Sequence, residues 1–304
     1  MKTNKSNASL GAGLVILSSF FYASYGIWTK LMGSFFGGYS ASALRSVVVL
    51  LILVPAALIL RKFEPLNLKK NWLYILGITA ASFFVWGPLY YSILHAGVGI
   101  AITINYASLM IGLLFFGWLF NKEKFTKEKW LSAIIGIVGL VLVFSPGSSN
   151  GHLEILALFA AALSGISISL MSIIIKFIPY NATQATVVSW VTSVFANFAM
   201  AWLFKETIPA FGFQAQWIYL VLFAVASIAA SLMLNRGIKL IDAGVAGILG
   251  LLEIVFGVLF GVLFFSEKPT LIAIAGVVLI IVSASVPYVY AISKPSKKRP
   301  KHNS

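Results

Sequence analysis

Residues 249–270 read LGLLEIVFGVLFGVLFFSEKPT, an apolar run with one carboxylate, Glu253, near its middle and a Ser-Glu-Lys-Pro-Thr ending. Residues 110–126, MIGLLFFGWLFNKEKFT, close on nearly the same cadence. A shift of 144 residues lays Glu123-Lys124-Phe125-Thr126 on Glu267-Lys268-Pro269-Thr270, and Gly117 on Gly261. A shift of 146 lays Lys30 on Lys176, each closing an apolar helix that carries a serine at equal depth, Ser18 and Ser164. Further on, GIVGLVLVF (136–144) parallels GVVLIIVSA (276–284). Coincidence among greasy helices explains one such match. Several in register indicate a duplicated chain.

The rest of the sequence says where such a chain resides. Of its 304 residues 60% are hydrophobic and 10% charged, with a mean hydropathy of +0.97. One soluble core cannot hide that much apolar surface, so the chain reads as an all-α integral membrane protein. A bilayer core of about 30 Å takes about 20 apolar residues per helix. Ten segments qualify: 10–31, 40–60, 72–94, 97–120, 130–146, 153–175, 183–204, 215–235, 243–265 and 270–292. The first begins like a signal peptide, but its apolar run is too long for one and reads as a span. Alternating barrel strands are not seen, and backbone groups in lipid must bond within the segment, so the spans are helices. Five fall in each half, which divides the chain into residues 1–147, residues 148–292 and a basic tail, 293–304.

The net charge of +14 is a topology signal, not a nucleic-acid footprint, because the basic residues lie in short connections and at the ends. With both termini cytoplasmic, 18 of the 22 Lys and Arg fall on that side; only Lys30, Arg45, Lys205 and Lys268 face the other. The tail serves topology and touches anionic lipid. An odd number of spans per repeat makes the second half enter from the opposite side. The Glu-Lys loop is then cytoplasmic in the first half and external in the second. Inverted repeats of this kind mark secondary transporters, with the substrate site near the midplane between the halves.

At this point the sequence resembles a known group. Ten helices as five plus five, a Lys closing the first helix of each half, ALRSVVVLLIL in the second helix and LLEIVFGVLFGVLFFSEKPT look like the drug/metabolite transporter superfamily, in its EamA-type branch. The resemblance runs from about residue 10 to residue 290 and implies export or exchange of small metabolites such as amino acids. Where such families show a Pro after the Glu, this chain has Ile254, so no Pro break is expected in the ninth span.

Depth in the membrane selects the candidate site. Tyr22, Asn105, Tyr106, Ser108, Ser164, Ser167, Ser227 and Glu253 all lie near the midplane, where an ionisable group is costly and functional by default. Glu253 reads as a partner for a substrate amine or as a proton-coupling group, against the alternative of a packing hydrogen bond. Ser18, Tyr22, Tyr25 and Thr29 recur on one helical face that ends at Lys30. Pro88 and Gly87 are expected to kink the third span beside Trp86, shaping a cavity wall or hinge. Arg45 is expected at an outer vestibule or snorkelling to headgroups. Gly257 and Gly261, with Gly244, Gly247 and Gly250, suggest close helix packing.

Other function classes have less support. Cys is absent, the three His are isolated and Asp242 is the single Asp, so neither an enzyme nor a metal centre nor a cofactor is expected. A channel or scaffold is disfavoured because one chain already holds two opposed halves. The reading is therefore a plasma-membrane carrier of bacterial inner-membrane type, monomeric or homodimeric. It moves an amino-acid-like or amphipathic solute by alternating access, with export as the expected direction. A proton-coupled multidrug exporter is the alternative. Phosphorylated solutes would call for several buried basic residues.

Overall fold

A computed structural model describes residues 5–64, 68–124, 126–144 and 154–293. The expected boundary at residue 147, Phe125 and all but the first residue of the basic tail lie outside the described residues. Among the described residues the chain forms twelve helices and no strand: α1 Lys5–Ala23, α2 Tyr25–Met32, α3 Gly38–Ile59, α4 Leu68–Ala96, α5 Val98–Asn121, α6 Lys127–Phe144, α7 Ile155–Phe177, α8 Ala182–Leu203, α9 Ala215–Gly237, α10 Ala243–Gly250, α11 Leu252–Phe265 and α12 Leu271–Ser293. Eight stretches are long and apolar enough to span a membrane, with α1–α2 and α10–α11 each counted as one. The shorter apolar stretch of α12 and the 18-residue α6, charged in its first turn, are the remaining two of the ten, and these two helices pack on each other. Outward faces carry side chains such as Leu58, Phe159, Trp202 and Leu271 uncovered, as lipid contact requires.

Two spans are broken. The first parts at Ser24 between α1 and α2, and the ninth at Leu251 between α10 and α11. The second break occurs without the proline whose absence was noted in the sequence. It needs no proline: Leu251 stays helical with ψ −20°, and its N–H reaches Ile248 O at 3.3 Å, one 3₁₀ turn inside an α-helix. Conversely, α4 is continuous through Pro88.

The packing has the symmetry that the register predicts. Exchanging the first five spans with the second five turns α1·α9 into α7·α4, α5·α7 into the ninth span against α1, and α4·α8 into α9·α3. The pairs α3·α8, α6·α12 and α5·α10 map onto themselves. All are contacts of the fold. The same exchange governs helix ends. Among the described residues the four non-glycine residues with positive φ are Arg61 (49°), Lys122 (52°), Lys205 (54°) and Ser266 (54°), two pairs at the register of the repeat. Each terminates a helix in the left-handed conformation. In each the next N–H folds back onto the final turn: Lys62 to Ala57 O, Glu206 to Ala201 O, Glu123 to Gly117 O and Glu267 to Gly261 O.

Small residues set the helix spacings. A Cβ on Gly165 of α7 would lie 2.8 Å from Leu109 N of α5, and one on Gly139 of α6 would lie 2.7 Å from Gly276 O of α12. Gly247 packs on Leu113 and Gly244 on Leu114, as expected. Gly257 and Gly261 differ from these two in what a Cβ would meet first. Gly257 faces open space, and Gly261 lies under its own chain's Glu267.

Candidate functional site

Glu253 lies two residues past the Leu251 break, in the first turn of α11, and is half-buried. Gly250 and Gly257, three residues before and four after, share its helical face, and a methyl group added at either would meet nothing within 4 Å. That face borders open space, and side chains from other helices gather around the carboxyl group. Tyr106 of α5 lies within electrostatic reach of the Glu253 carboxyl group. Tyr22 of α1 and Tyr25 of α2 stand edge to face with centroids 5.2 Å apart, both within electrostatic reach of Glu253. Among the described residues Glu253 belongs to none of the ion pairs. A carboxylate beneath three phenols, with no cation beside it, is equipped to receive a positively charged group or a proton.

Arg45 is 2% exposed inside α3. That corrects both expectations for it, an outer vestibule and snorkelling. Rings hold it instead: Phe223 at 4.3 Å, Tyr25 at 5.0 Å, and Trp86 and Trp190 each at 5.5 Å. Trp86 thus joins the cluster through Arg45. Ser227 is buried on α9 beside Tyr25 and donates to Phe223 O at 2.8 Å.

Three other midplane candidates have hydrogen-bonded side chains. Asn105 Nδ2 donates to Ser164 Oγ at 2.9 Å, and Ser164 Oγ donates to Val85 O, tying α5, α7 and α4 together. Its repeat partner Ser18 donates to Ala230 O of α9 at 2.9 Å, the same bond in the other half. Ser167 donates within its own helix to Leu163 O at 2.8 Å, and Ser108 packs against Gly165. Asn105 and Ser164 thus bond across helices, the competing role of Ser and Asn in membrane bundles. Near Pro88, the Gly87 carbonyl accepts the Tyr39 hydroxyl at 3.1 Å.

At the two ends of the bundle, where Lys30 was a gating or vestibule candidate, Glu123, Lys176 and Glu267 were not foreseen. At one end Lys176 Nζ meets Glu123 Oε1 at 2.8 Å, with side chains 10% and 5% exposed. Glu123 also accepts from Asn121 Nδ2 at 2.8 Å and from the Ala243 N–H at 2.9 Å, capping the first turn of α10. Lys176 donates again to Ile241 O at 2.6 Å. Burial works to raise the Glu123 carboxyl pKa, but the Lys176 ammonium and these donors outweigh it and hold it below the ordinary value. At the other end Lys30 pairs with Glu267, and both side chains are about half exposed, at 52% and 53%. Lys30 also lies 4.2 Å over the Phe265 ring. The repeat register exchanges these two latches: each joins a Lys of one half to a Glu of the other. Gly117 and Gly261 leave room for the folded-back carboxylates, since a Cβ at Gly117 would lie 2.8 Å from Glu123 Oε2.

Comparison with known proteins places this architecture. The chain is 23% identical to the S-adenosylmethionine uptake transporter of Rickettsia bellii, covering 96% of this chain and 97% of that protein. It is 22% identical to solute carrier family 35 member G1 of Mus musculus, over 91% of this chain and 77% of the relative. A Saccharomyces cerevisiae membrane protein is 24% identical over 70% of this chain, which spans 55% of that protein's length. A crystal structure superposes with a TM-score of 0.78 at 18% identity, covering 94% of this chain and 99% of the other, which establishes likeness of fold. The EamA-like transporter family matches residues 9–145 and again residues 153–288. A multi-pass helical bundle whose two halves each carry the family pattern is a membrane transporter of small solutes, and the chain belongs to the EamA-like transporter family.

Proposed function

We propose that this protein is a plasma-membrane carrier that moves a small, amphipathic, amino-acid-like solute by alternating access between its two halves. The carrying observation is the Glu253 carboxyl group, in no ion pair among the described residues and within electrostatic reach of Tyr22, Tyr25 and Tyr106, where it can hold a solute amine. Both termini are cytoplasmic in this reading, so the Glu123–Lys176 latch faces the cytoplasm and the Lys30–Glu267 latch the outside. The inner latch is buried and capped; the outer one is half exposed. That difference supports a state closed to the cytoplasm, with the outer side the first to open. Net direction follows the gradient, and export is the direction proposed. The domain limits follow from the register: residues 1–147 and 148–292 as the two repeats.

Counterflow in proteoliposomes tests the reading. Vesicles loaded with an unlabelled amino acid should accumulate the labelled form, and the rate should saturate. An unsaturable ohmic current instead of exchange would sink the carrier reading in favour of a channel. The same unpaired carboxyl group favours one second reading, coupling to protons. Glu253→Gln should then abolish uphill transport and leave exchange intact. Loss of both together assigns Glu253 to solute binding alone.

A further inference from the structure

Arg45 is a charged side chain buried without a charged partner. A guanidinium taken out of water requires either a carboxylate or several acceptors, and unpaired buried charge is strongly destabilising. Among the described residues Arg45 makes no hydrogen bond and no ion pair, and its Nε is one of the few buried polar side-chain atoms left without a partner. The Tyr25 hydroxyl, on a ring 5.0 Å from the guanidinium, is another. Two orphaned polar groups therefore converge within one aromatic cage. Rings from α2, α4, α8 and α9 attract the cation through their faces. They supply no in-plane acceptor for its five N–H donors. A residue kept only for packing would be served as well by an apolar side chain, without the unsatisfied donors.

The cage adjoins the site already described. Tyr22 and Tyr25 lie within electrostatic reach of both Arg45 and Glu253. Arg45 belongs to the first half and Glu253 to the second. We infer that Arg45 is the anion-binding pole of the interior site, taking the carboxylate of a solute whose cationic group is held at Glu253. The substrate class is then a zwitterion that bridges the two halves, a conclusion that rests on the carrier reading. One planar guanidinium fits a carboxylate by two parallel hydrogen bonds. A phosphate dianion would call for a second basic residue, which the cage lacks.

The test uses the full chain in lipid nanodiscs and its tryptophan fluorescence, to which Trp86 and Trp190 of the cage contribute two of eight emitters. Iodide should quench a saturable fraction of the emission, benzoate should relieve that quenching, and the neutral isostere benzamide should not. Arg45→Gln should weaken iodide and benzoate by about ten-fold or more, the loss of one charged hydrogen-bonding partner. Quenching by neutral acrylamide should match wild type, showing that the cage is intact. Quenching by iodide that is unsaturable, equal in Arg45→Gln, or relieved equally by benzamide overturns the assignment. The benzoate–benzamide contrast in wild type decides the matter even if the variant does not fold. The two proposals separate: an anion site without counterflow removes the carrier reading, and counterflow without an anion site removes this one.

Discussion

The two latches allow one controlled comparison, because Glu123 and Glu267 are the same residue at the same repeat position in unlike surroundings. Replacing Glu123 with Ala leaves Lys176, 10% exposed, as a buried charge and uncaps Ala243 at the start of α10. Removing one partner of a buried pair costs about 3–5 kcal/mol. Replacing Glu267 with Ala frees Lys30, which is half exposed and solvated, so the loss is about 0–1 kcal/mol. At about 2–4 °C per kcal/mol for a chain of this order of size, the first variant should melt roughly 6–20 °C lower and the second within a few degrees of wild type. Thermal unfolding of purified protein in one detergent, followed by tryptophan emission, measures both. A lowered carboxyl pKa stabilises the fold fully above the ordinary value of 4.5, and that contribution disappears as pH falls through the folded value. Wild type should therefore lose stability on acidification below pH 4.5 more steeply than Glu123→Ala. Equal melting losses in the two variants, or parallel acid profiles, would refute the claim that one latch is closed and the other loose.

Two further outcomes follow from packing. Gly117→Ala puts a methyl group 2.8 Å from Glu123 Oε2 and 3.3 Å from Ala243 Cβ, and should cost about 1–3 kcal/mol. Most of that cost should vanish when Glu123 is already Ala, as a thermal double-mutant cycle will show. Ser164→Ala removes the acceptor of Asn105 and the donor to Val85 O, so stability should fall by about 1–3 kcal/mol with the solute KM little changed. Tyr106→Phe should do the reverse, leaving the melt near wild type and changing transport.

Much of this architecture was written locally and so could be read. Helix ends at Arg61, Lys122, Lys205 and Ser266, the glycines beneath Glu123 and Glu267, and the apolar length of each span depend on neighbours a few residues away. The repeat register emerged from the Glu-Lys loops, those glycines and the lysines that close the first helix of each half. Glu253 stood out because nothing nearby in sequence excuses a carboxylate there. What could not be read depends on which helices meet. Arg45 is enclosed by rings from four helices, a fact absent from ALRSVVVLLIL itself. Asn105 and Ser164 look like cavity residues by depth, and only the α4·α5·α7 contact shows that they bind each other and the backbone. The breaks at Ser24 and Leu251 involve modest dihedral changes without proline, so composition leaves no mark of them.

The crossed latches have a consequence for assembly. Lys30 and Glu123 close opposite ends of the first half, and Lys176 and Glu267 opposite ends of the second, so neither half on its own can neutralise its terminal charges. A half synthesised alone would find the missing counter-charge only in a companion lying upside down beside it. Two separate half-length polypeptides, placed in the membrane head to tail, carry all the complementary groups needed to rebuild the whole.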